Sequence, residues 1–162
     1  MENITGKPVD RSKWPAGPWD GEPDRVDFIH SGFSCFIKRH PDSGHWCGYV
    51  GVPSTHPFYK SDEPYNLDLG VHGGITYGDI CNPESGICHI PEKGMPEDVY
   101  WLGFDAHHGG DLAPMDSVWR RIAGLPENSF YSILAPRDTY KTAEYMIDEC
   151  KQLAEELERI KV

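Results

Sequence analysis

The densest group of side chains able to do chemistry lies in GFDAHHGGDLAP, where Asp105, His107, His108 and Asp111 fall within seven residues. Carboxylates and imidazoles together can exchange protons near neutral pH, or offer oxygen and nitrogen to a divalent metal. Asp105, His108 and Asp111 follow one another at intervals of three, which on a helix would put them roughly on one side. Gly109 and Gly110 oppose a continued helix, so these groups are expected to converge from a loop, the glycines allowing sharp turns. The structural reading beside this one has the aspartates capping a turn and one histidine hydrogen-bonded in the core. Four titratable groups next to an apolar strand tilt the cluster towards function.

His72, in VHGGITYGD, is the second candidate. Alone it reads as a satisfied core histidine. If its segment neighbours Trp101 to Phe104, it comes near Asp105, and Gly73 and Gly74 would leave space above the backbone for a ligand. Asp79 is a weaker member of the group. His56, in PSTHPFY, is a possible third imidazole, although a loop histidine bonded to backbone is the commoner case. His30, His40 and His45 read as turn or surface residues, and His89 beside Cys88 makes a poor metal pair. The chain has no GxSxG elbow, HExxH helix, phosphate loop or dinucleotide fingerprint. A divalent metal of unknown identity could be held by His72, Asp105, His108 and Asp111. It would lower the pKa of bound water, with Asp105 or Asp111 accepting a proton and His108 acting as ligand or acid.

These groups need elements to position them. Phe33 to Ile37 and Trp46 to Val52 read as antiparallel strands joined through the turn residues of RHPDSGH. Leu67 to Tyr77 reads as a strand interrupted by Gly73-Gly74, and VYWLGF as a central strand emptying into the His/Asp cluster. MDSVWRRIA, residues 115 to 123, reads as a short helix capped by Asp116 or Ser117, and Phe130 to Leu134 as a further strand or extended segment. From Thr139 onward, Ala143, Met146, Ile147, Cys150, Leu153, Ala154, Leu157 and Ile160 recur at spacings of three and four. That pattern is an amphipathic helix capped by Asp138 or Thr139. The expected fold is α+β, a small antiparallel or mixed sheet of four or five strands packed by this long C-terminal helix, with extensive loops. A single domain over 1–162 is expected, with 1–25 an irregular arm pinned by Trp14 and Trp19 and by an Asp24–Arg25 ion pair.

Glycine and proline supply 17 and 14 of the 162 residues, so turns must occupy much of the chain, while 5 Trp, 8 Tyr and 6 Phe argue for an ordered core. A formal charge of -11 repels nucleic acid and anionic membranes, and no apolar run is long enough to span a bilayer. The five cysteines, Cys35, Cys47, Cys81, Cys88 and Cys150, form no CxxC. Their odd number, without a signal-peptide pattern, predicts buried thiols in a reducing, cytoplasmic setting.

The phrases GYVGVPSTHPFY, VHGGITYGD and WLGFDAHHGGD, with the final helix TAEYMIDECKQLAEEL, resemble an uncharacterised family of phage, prophage and bacterial proteins. Its phrases run GYVGVPxxHP, VHGGLTY and GFDxAHxGD, covering about three quarters of the chain from EPDR to the helix. The resemblance singles out His56, His72, Asp105, His108 and Asp111, with Gly73, Gly74 and Gly110 as permissive positions. Ala106-His107 stands where members more often carry Cys-Ala, and Gly109 where a small Ala is usual, which favours His108 over His107. The family implies no reaction. The expectation is a small polar-ligand pocket lined by His and Asp, in its sharpest form a metal-dependent hydrolase. Its alternative is a non-enzymatic protein that binds a host protein or sequesters a small molecule. A purely structural role for the cluster is the third reading.

Overall fold

The computed structural model describes residues 9–82, 84–88, 98–124 and 139–160. Five strands, β1 (Arg25–His30), β2 (Phe33–Arg39), β3 (Trp46–Pro53), β4 (Tyr77–Ile80) and β5 (Val99–Asp105), form one sheet in the order β1-β2-β3-β5-β4. Every pairing in it is antiparallel. β6 (Asp111–Leu112) and β7 (Thr139–Tyr140) make a separate two-residue parallel ladder. α1 (Asp116–Ile122) and α2 (Ala143–Arg159) are the helices among the described residues.

The expected pairing of β2 with β3 is present, and β5 lies inside the sheet between β3 and β4. β1 goes beyond the sequence reading, which placed no strand directly after the arm. Its connection to β2 is Ser31-Gly32, both at positive φ (53° and 81°). Two left-handed residues match the twist of paired strands, and this is how so short a hairpin closes. The expected strand from Leu67 to Tyr77 is corrected: the sheet takes the chain only from Tyr77, because Gly73 and Gly74 both sit at positive φ and turn it beforehand. The segment at 130–134 lies outside the described residues.

Alternation along the strands gives the sheet two apolar faces. Cys35, Ile37, Val50, Val52, Leu102 and Phe104 pack against Met146, Cys150, Leu153 and Leu157 of α2. Each such side chain contributes roughly 1.5–3 kcal/mol by leaving water. On the other face Phe36, Cys47, Tyr49, Val99 and Trp101 form a smaller cluster. In α2, Ala143, Met146, Cys150, Leu153, Ala154 and Leu157 are buried, whereas Glu144, Glu155 and Glu158 are exposed.

The start of α2 is corrected to Thr142, whose Oγ1 accepts the Tyr145 N–H at 3.1 Å. Residues 139–140 belong to β7 instead, because Asp111–Leu112 pairs with them. α1 likewise starts after Met115, with Asp116 accepting the Ala113 N–H from inside the first turn. The arm is tied to both elements through Glu22. Its carboxylate accepts the Ala143 N–H at 2.6 Å, meets Arg39 at 3.1 Å and accepts the Tyr140 hydroxyl. A carboxylate at a helix N-terminus is favoured by the exposed amide dipoles. Trp19, 5% exposed, stacks on Tyr140 at 5.2 Å.

The expected Asp24–Arg25 pair is not formed. Asp24 meets Arg11 and Arg39, while Arg25 pairs with Asp27, because neighbouring residues on an extended strand point to opposite faces. The cysteine reading is corrected as well. Cys81 and Cys88 are disulfide-bonded, and Cys35, Cys47 and Cys150 are buried free thiols. No described helix is long and apolar enough to cross a membrane.

Candidate functional site

Asp111 is the centre of the cluster. It opens β6 and is 6% exposed, so its charge needs partners. His72 Nε2 lies 2.9 and 3.1 Å from its two oxygens, the Lys141 ammonium 3.0 Å from Oδ1, and the His108 N–H donates to Oδ2 at 3.0 Å. Burial by itself would raise the carboxyl pKa. The hydrogen bonds from His72, the His108 amide and Lys141 outweigh it and hold Asp111 below the ordinary carboxylate value.

An ionised carboxylate only accepts, so Nε2 of His72 carries the hydrogen and Nδ1 is left as acceptor. Nδ1 receives the Tyr145 hydroxyl at 2.9 Å. The result is an unbroken chain, Tyr145 O–H to His72 to Asp111. Burial first, then the neighbouring Glu149 carboxylate, push the Tyr145 hydroxyl up to about 12, so it is a neutral donor whose one hydrogen is shared between Nδ1 of His72 and Glu149. Three elements build this chain. His72 comes from the turn after Val71, Asp111 from β6, and Lys141 and Tyr145 from the entry to α2, which β7 brings alongside Asp111.

Asp105 belongs to a neighbouring group. It accepts the Thr76 hydroxyl at 3.0 Å and the His107 N–H at 3.0 Å. His108 links the two groups. Its ring centroid lies 6.1 Å from that of His72, and its Nε2 is 3.3 Å from Asp105 Oδ1 without the alignment of a hydrogen bond. That nitrogen is buried and makes no hydrogen bond in the described structure. The space expected above Gly73 is taken by the same ring. A Cβ on Gly73 would sit 2.3 Å from His108 Nε2, so this glycine admits a side chain of the protein and leaves no room for a ligand there. Gly74 does face open space.

His56 is not brought to the cluster. Its Nε2 donates to the Leu157 carbonyl at 2.9 Å and its Nδ1 accepts the Phe58 N–H at 3.0 Å, so both nitrogens hold backbone near the end of α2. Leu157 lies twelve residues beyond Tyr145, about 18 Å along the helix axis. His107 turns away, stacking on His45 at 4.5 Å and lying 3.5 Å from Asp116. His45, expected at the surface, is buried and stacks on His40 as well, at 4.9 Å.

Among the described residues, no group of three or more His, Cys, Asp or Glu side chains is arranged to hold a metal ion. His72 has both nitrogens engaged, and the Lys141 ammonium already stands at Asp111. Tyr145, Lys141 and Thr76 were not singled out from the sequence. Lys141 precedes the Thr142 cap and Tyr145 lies in the first turn of α2, so both stand at the helix entry that β7 brings to Asp111. No protein-family model, curated protein or solved structure matches the chain.

Proposed function

We propose that Tyr145, His72 and Asp111 form an acid–base site acting on a small polar ligand, with hydrolysis as the reaction class that suits it best. The Tyr145–His72–Asp111 chain carries this reading. Tyr145 can pass its hydroxyl proton to Nδ1 of His72 while the phenolic oxygen takes a proton from a substrate hydroxyl or an attacking water. Asp111 would stabilise the imidazolium so formed and fix the ring orientation, the division of labour known from nucleophile–histidine–carboxylate triads. Lys141 would keep Asp111 ionised throughout. The test is turnover of a panel of nitrophenyl acetate and phosphate esters. Activity above buffer should fall about a hundredfold or more in Tyr145→Phe and Asp111→Asn. Equal activity in Tyr145→Phe would overturn the role given to the hydroxyl.

One observation favours a metal-dependent form of the same reading. Nε2 of His108 is without a hydrogen bond beside Asp105, and a divalent ion could recruit that pair. Mass spectrometry on protein purified without chelator decides this, since near-stoichiometric metal lost in His108→Ala would support it. Ligand binding with no turnover would instead favour a sequestering protein.

A further inference from the structure

The face of the sheet turned away from α2 holds a cavity of about 370 Å³. β2 and β3 give it Lys38, Cys47 and Tyr49, His40 stands at the end of β2, and the disulfide-closed segment contributes Glu84, Ser85 and Ile87. That volume is in the range of small-ligand sites, roughly 300–1,000 Å³. None of the groups of the Tyr145–His72–Asp111 chain borders it.

Tyr49 is the aromatic residue of its sheet side, mostly buried and fixed by its neighbours. Tyr49 stacks on Phe36 at 4.7 Å and meets Tyr77 edge-on, and Phe36 rests against Trp101. The wall opposite is held in place by Arg25. This guanidinium lies over Phe36 at 4.0 Å and donates to the carbonyls of Gly86 and Cys88. Asp27 neutralises Arg25, so that cation is already paired.

Lys38 differs. It is directly opposite Cys47 in the register, half-buried, and forms no ion pair or hydrogen bond among the described residues. Cys47 supplies no counter-charge, since burial pushes its thiol up to about 12. Glu84, the acidic residue of the lining, is exposed and forms no ion pair with Lys38. Burial, opposed by Cys47 and reinforced by Arg25, lowers the Lys38 pKa, as expected of an ammonium short of counter-charge. A half-buried cation beside an aromatic ring is relieved by an anion, and the ring accepts a flat apolar body.

We infer that this cavity is a binding site for a small aromatic carboxylate, with the carboxylate paired to Lys38 and the ring laid on Tyr49. It is independent of the acid–base reading, because the two sites share no residue. Benzoate and its uncharged analogue benzamide are the probes, titrated into the full chain and followed by amide chemical shifts. Benzoate should move the amides of Lys38, Cys47, Tyr49 and Ile87 with a dissociation constant on the order of 1 mM. Benzamide should bind about tenfold more weakly, and Lys38→Met should erase that preference. Equal binding of the two probes, shifts centred elsewhere, or undiminished benzoate binding in a folded Lys38→Met variant would each overturn the assignment. Should Lys38→Met fail to fold, Ser85→Trp on the exposed wall fills the cavity and must abolish the benzoate shifts, and their persistence also overturns it.

Discussion

The cluster around Asp111 and the cavity around Lys38 treat a buried charge in opposite ways. Asp111 is almost fully enclosed and has three partners, His72, Lys141 and the His108 amide. Lys38 is half-buried and has no such partner among the described residues. A satisfied charge locks the elements that satisfy it, here the turn at His72, β6 and the entry to α2. An unsatisfied one leaves binding free energy available to a ligand. The same distinction separates a group poised for proton transfer from one poised for recognition.

The largest expected effect comes from breaking the satisfied side. Asp111→Ala leaves His72, Lys141 and a backbone amide without their acceptor and should cost about 3 kcal/mol in urea unfolding. Gly73→Ala should follow, at about 2 kcal/mol, because it places a methyl in the His108 ring and holds alanine at a φ of 71°. A loss well below 1 kcal/mol would mean that the His108 ring is free to leave.

The histidine stack between the two regions sharpens the comparison through pH. His45 lies between His40, which borders the cavity, and His107, in the loop before Asp111. Burial first, then the neighbouring His107 and His40, push its pKa down to about 3, against weaker opposing pulls from Asp105 and Asp111. The unfolded chain protonates this side chain near 6.5, so it binds more protons than the native state at lower pH. Its contribution is therefore complete above about 6.5 and declines by up to about 1.4 kcal/mol per pH unit as pH falls towards 3. His45→Phe should flatten that slope in denaturation curves collected from pH 7 to 4. An unchanged slope would show that His45 is protonated in the native state.

The smallest effect belongs to the unsatisfied side. Lys38→Met should raise stability by up to about 1 kcal/mol, since it removes a charge with no partner among the described residues and keeps the stem volume. A clear loss in the same unfolding assay would mean that Lys38 already has a counter-charge in solution, and the contrast with Asp111 would fail.

Apolar runs of β-favouring residues made β2, β3 and β5 legible, and spacings of three and four did so for the long helix, where burial of one face imposes them. The residues of the candidate site were legible only in part. His72, Asp105, His108 and Asp111 stood out as clustered titratable types, and His72 does meet Asp111. Tyr145 and Lys141 carried no local mark of function, since a tyrosine in the first turn of a helix and a lysine just before it are ordinary packing and surface residues. His56 shared its residue type with the others, yet its bonds to Phe58 and Leu157 hold it at the far end of α2.

The sequence by itself determined β2, β3, β5 and the long C-terminal helix, because apolar runs and the helical repeat are local properties of the chain. It also determined that a His/Asp-rich loop follows the interior strand β5. Partnership was decided by the tertiary structure alone. The β6–β7 ladder sets Lys141 and Tyr145 against a carboxylate some thirty residues earlier, and Glu84, Ser85 and Ile87 of the disulfide-closed segment border the same cavity as Lys38. Whether a charge is buried, paired or left open depends on what the fold lays across it, and no spacing along the chain encodes that.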